Sequence, residues 1–126
     1  MNTCVYSSFV FLLNTFLSYI YKDYVYSILF LILWLTSYHY HTKYTPYTKQ
    51  CDQLAIFAIL TYGGYVLLNK CSMEKKLMTF LVLLTLFTSI YLYKNQCQDP
   101  DEQKANKYHS LMHFISSLGH SLIVAM

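Results

Sequence analysis

The chain has 126 residues, 56% hydrophobic and 12% charged, against roughly 25% charged in an ordinary soluble domain. Its length fits one domain, 1–126. The net charge of +3 comes from nine lysines and no arginine, and the lysines lie between apolar runs rather than in a patch interleaved with aromatics, which argues against a nucleic-acid partner.

Five apolar runs follow one another, at about 4–20, 24–41, 53–69, 77–93 and 108–125, and none contains a charged residue. Each approaches the roughly 20 residues that cross a hydrocarbon core of about 30 Å. The expected architecture is therefore all-α, an integral membrane bundle of about five transmembrane helices. The first run carries Ser7, Ser8, Asn14, Thr15 and Ser18. A cleaved signal peptide is its alternative reading. It has no charged leader and no small-x-small site before Lys22, which favours a retained helix. The second run holds Trp34, and its tyrosines at 21, 24, 26, 38 and 40 suit two interfacial belts.

Gly63-Gly64 in the third run permits a close helix approach or a kink. The fourth run is nearly pure Leu, Val, Phe and Thr between Lys75-Lys76 and Lys94, as expected of a helix facing lipid. Asp99-Pro100-Asp101-Glu102 is aqueous, and Pro100 marks a stop before a last helix that begins near 101 or 102. The runs are too long and too continuous for a β-barrel. Cys4, Cys51, Cys71 and Cys97 lack metal-type spacing and read as reduced or lipid-buried thiols; Cys51 and Cys97 could pair only on an oxidising side.

An alternating trace puts the 42–51 and 94–107 links on one side. Lysines number five on that side (43, 49, 94, 104, 107) and four on the other (22, 70, 75, 76), too even a split to set orientation. The trace also brings three polar clusters to one depth: Ser37 and His41 ending the second run, Asp52 opening the third, and His109 with His113 opening the fifth. Ser37 and His41 are four residues apart and share a helix face, as do His109 and His113. Three neutral imidazoles form the open site of a hydrolytic zinc, an aspartate beside it can hold and deprotonate water, and a serine hydroxyl can donate to an oxyanion. Each residue also has a plainer role: His41 as an interfacial side chain, Asp52 as a helix N-cap, Ser37 as a packing hydroxyl. His39 points off the shared face. His120, seven residues past His113, is a further polar group on it.

Ser37, His41, Asp52, His109 and His113 resemble the pattern of the membrane-hydrolase superfamily of alkaline ceramidases, adiponectin receptors, myomaker-like proteins and GPI-remodelling phospholipases. In that pattern a serine stands four residues before a histidine, an aspartate opens the next helix, and His-x-x-x-His lies on the last. The step from His41 to Asp52 is similar to that in the ceramidases and the remodelling enzymes; Cys51-Asp52 and the 109–117 segment are closer to the myomaker-like branch. The resemblance covers about 37–60 and 105–120. It implies a zinc-dependent hydrolase of a lipid amide or ester within the bilayer, with His41, His109 and His113 as zinc ligands and Asp52 and Ser37 as catalytic groups. The family has seven helices, so this chain would be a shortened form lacking two helices of the lipid pocket. A homo-oligomer that closes the pocket is an open alternative. Two rival functions are a non-catalytic membrane interaction or remodelling protein with a structural zinc, and a pore former or bis-histidine haem binder.

Overall fold

The computed structural model describes residues 3–126. Among these residues the fold is helical throughout: α1 (Thr3–Ser8), α2 (Val10–Ile20), α3 (Tyr24–Thr42), α4 (Pro46–Lys70), α5 (Lys76–Tyr91) and α6 (Glu102–Ala125).

The first apolar run is two helices, not one. The Ser7 hydroxyl donates to the Cys4 carbonyl and the Ser8 hydroxyl to the Val5 carbonyl, at 3.2 and 2.7 Å, while the ladder tightens around Phe9. Paired serines that bond back to the preceding turn are a known cause of such a break. The run then ends in a Schellman turn: Asp23 N–H donates to the Ser18 carbonyl and Lys22 N–H to the Tyr19 carbonyl, with Lys22 at φ 64°. Asp23 caps α3 through the Tyr26 amide, and the same oxygen accepts from the Tyr62 hydroxyl at 2.8 Å, tying α3 to α4.

Two helices begin earlier than their apolar runs. Thr45 caps α4 reciprocally with Thr48, and Pro46 occupies its first turn, so α4 starts seven residues before 53. Asp52 consequently sits inside the helix, which removes the N-cap role as an explanation for it. Asp101 caps α6 through Gln103 N–H at 3.0 Å, so His109 lies two turns into that helix. Beyond α5, a π-turn over 92–96 closes with Cys97 N–H to the Leu92 carbonyl. At the other end of α6, Lys70 donates to the carbonyls of Ile123 and Val124 and Lys75 to that of Met126, so two ammonium groups satisfy the open carbonyls and complement the helix dipole.

The helices form an open arc. α3 packs on α2 and α4, α6 packs on α1, α2 and α5, and α4 reaches α6 more weakly. α4 and α5, though consecutive, scarcely touch. The core follows Phe11, Tyr26, Phe30, Ile59 and Ile123. Polar groups are inside as well: Asn14 is fully buried, bonding the Ser117 carbonyl and the Ser121 and Ser117 hydroxyls on α6. Large apolar side chains such as Leu13, Phe16, Ile28, Phe57, Leu68 and Phe87 cover the outside, a surface far larger than the apolar patches that water tolerates.

Three stretches are long and apolar enough to cross a membrane: Thr3–Ile20, Pro46–Lys70 and Met73–Gln96. α3 and α6 have the length, at 19 and 24 residues, but less apolarity. Tyrosines and two histidines dilute α3; lysines, serines and three histidines dilute α6.

Candidate metal centre

His41 comes from the last turn of α3, His109 and His113 from one face of α6. α1 packs on both helices, and the imidazoles meet between them. Their rings meet edge to face, with centroids 4.8 Å apart for 41–109, 5.3 Å for 41–113 and 4.8 Å for 109–113. One ring nitrogen from each lies within 4.8 Å of the others, a group able to hold a metal ion. His41 Nε2 is buried with no hydrogen-bond partner among the described residues. A buried polar atom left unpaired is costly unless a ligand completes it.

The tautomer of His113 follows from its neighbour. Ser7 Oγ lies 2.7 Å from His113 Nδ1 and 3.2 Å from the Cys4 carbonyl. With the serine proton on that carbonyl, Ser7 accepts from Nδ1–H, and Nε2 keeps the lone pair that a metal requires. Phe11 packs edge-on against the same ring at 5.2 Å, fixing its plane.

A cavity of about 450 Å³ begins at this centre and runs between α4 and α5. Ser37, Asp52, His109 and His113 line its polar end; Ile56, Ile59, Leu83, Leu86 and Ile90 make apolar walls. Because α4 and α5 do not close on each other, the cavity opens sideways, through the surface that carries the exposed apolar side chains. Ser37 is fully buried apart from this cavity. Asp52 is 5% exposed and accepts a hydrogen bond from Thr36 Oγ1 at 3.4 Å; its second oxygen has no protein partner among the described residues. Asp52 stands in the cavity lining and not in the group of metal-ligating atoms. His39 is exposed on the far side of α3.

Thus the structure brings the three histidines together and sets Ser37 and Asp52 along the same cavity. Ser7 is the addition that sequence reasoning missed. Its signal was present: Ser7, Asn14 and Ser18 recur at helical spacing, the mark of a polar stripe turned toward a partner helix. Met112 also lines the cavity. No protein-family model, curated protein or solved structure matches this chain.

Proposed function

We propose that this is a multi-pass membrane protein whose centre of His41, His109 and His113 binds zinc and hydrolyses an amide or ester bond of a membrane lipid. The observation that carries the reading is the unpaired, buried Nε2 of His41 within a cluster of three imidazoles, beside a cavity with a carboxylate and a serine on its wall. The donor set suits zinc, which takes three neutral imidazoles and leaves a fourth position open. When bound, zinc supplies an acidified water, with a pKa of about 7, and a Lewis acid for the carbonyl oxygen.

The residues of the chain do the rest. Ser7 holds His113 in the ligating tautomer. Asp52 turns its unpaired oxygen to the cavity, where it orients water and takes its proton. The Ser37 hydroxyl donates to the oxygen on which charge develops. The lateral opening between α4 and α5 admits an acyl chain from the bilayer, and the apolar walls receive it. In this arrangement α3 and α6 also cross the membrane, their polar residues turned to the interior, which is where intramembrane polar groups are tolerated.

A second reading, a structural zinc without catalysis, draws on the place of Asp52 outside the ligand group and on the open side of the cavity. One experiment separates the two. Purified protein is assayed for zinc by mass spectrometry and for release of fatty acid or sphingoid base from a lipid extract, with His113→Ala alongside. Hydrolysis requires zinc and product in the wild type and the loss of both in the variant. Zinc without product supports the structural reading, and zinc content that the variant leaves unchanged refutes the centre.

A further inference from the structure

Deeper in the same cavity lies a second polar station. His120 is 8% exposed and lines the cavity wall seven residues after His113, about 10 Å farther along α6. Its Nδ1 is hydrogen-bonded to the hydroxyl of Tyr26, which is wholly buried. A buried phenol must pass its proton to an acceptor, and Nδ1 is the one within its reach among the described residues. Tyr26 is therefore the donor, and His120 Nε2 carries the ring proton with no protein acceptor among those residues. Of the other mid-cavity hydroxyls, Thr85 donates to the Val82 carbonyl at 2.7 Å, and Ser89 and Ser116 pair at 3.0 Å, which uses one of their two protons.

The station is rigidly built. The imidazole stands edge-on against Tyr26 and Phe30, with centroids at 5.6 and 5.2 Å and interplanar angles of 86° and 81°. Gly63 makes room for the pair, since a Cβ there would lie 2.8 Å from the Tyr26 hydroxyl and 3.0 Å from the His120 ring. A fixed N–H donor set in an apolar cavity discriminates by the penalty of leaving it unpaired.

We propose that His120 Nε2 is a recognition site for an oxygen acceptor, a hydroxyl or keto group, carried at mid-chain by the acyl chain in this cavity, about 10 Å from the carbonyl or carboxylate held at the histidine centre. The inference rests on the reading of the cavity as a lipid cleft, but not on hydrolysis.

The test is displacement of a fluorescent fatty acid from the zinc-loaded full chain in detergent micelles. The competitors are long-chain fatty acids, each with one hydroxyl at a successive position, and the unsubstituted acid. Binding should peak at one mid-chain position, roughly tenfold tighter than the unsubstituted acid, and His120→Phe should flatten the profile while still binding that acid. A flat profile in the wild type overturns the proposal by itself, whether or not the variant folds. A peak that survives His120→Phe also overturns it, assigning the preference to another group. If no acid displaces the probe, the lipid-cleft reading falls, and this site with it.

Discussion

Removal of the Ser7 hydroxyl tests the metal centre at a residue that touches no metal. In the metal-free protein, Ser7→Ala costs His113 little, because the imidazole can shift its proton to Nε2 or rotate. Once Nε2 ligates a metal, the proton is confined to Nδ1, which in the variant faces a buried methyl group instead of an oxygen 2.7 Å away. A buried donor without an acceptor costs about 1–3 kcal/mol, which lowers zinc affinity by about fivefold to about a hundredfold. That agrees with the 10–100-fold typical of partners that orient a ligating histidine. The assay is competition for zinc against a chromophoric chelator in detergent micelles, comparing wild type, Ser7→Ala, Ser7→Thr and Ser8→Ala. Ser7→Thr retains the hydroxyl and should recover most of the affinity. Ser8→Ala should leave affinity unchanged, because the Ser8 hydroxyl bonds only the Val5 carbonyl among its described partners. Wild-type affinity in Ser7→Ala, with affinity lost in His113→Ala, would refute the tautomer argument.

Three further outcomes follow from the same geometry. Asp52→Asn should keep its zinc, since the carboxylate is not among the ligating atoms, yet lose about 10²–10⁴-fold in lipid hydrolysis; product release at the wild-type rate would remove Asp52 from the mechanism. Gly119→Ala should lower thermal stability by about 1–3 kcal/mol, because its methyl group would overlap the Thr85 hydroxyl where α5 crosses α6, and adding Thr85→Ala should restore part of the loss. Lys22→Gly should raise stability by about 0.5–1 kcal/mol, since glycine adopts the left-handed C-cap without the side-chain penalty that lysine carries at φ 64°; calorimetry in micelles reads the change.

Sequence made the helices and the histidine centre legible for different reasons. Helices announced themselves through long apolar runs, because hydrocarbon demands that every backbone group be paired within the segment. The start of α4 did not, since its polar first turn carries its cap at Thr45, outside any hydropathy signal, whereas Pro100 marked the start of α6 at Glu102. The centre was legible because three of its residues obey helical spacing on two helices and an up-and-down trace sets them at one level. The roles of Ser7 and Tyr26 were not, because each acts on a histidine 106 or 94 residues away, and local spacing records that a residue faces a partner helix but not which side chain it meets. The same contrast explains the interior. In a water-soluble bundle the apolar stripe points inward, and hydropathy identifies the core. Here Asn14, Ser37, His113, Ser117 and His120 are buried beside Phe11, Tyr26 and Phe30 while Leu13, Phe57 and Phe87 face outward, so polar side chains share the interior and hydropathy alone does not identify it. Reading the first run by its serines and asparagine, and not by its leucines, places residues 7 and 14 against α6 and leads from sequence to the partner of His113.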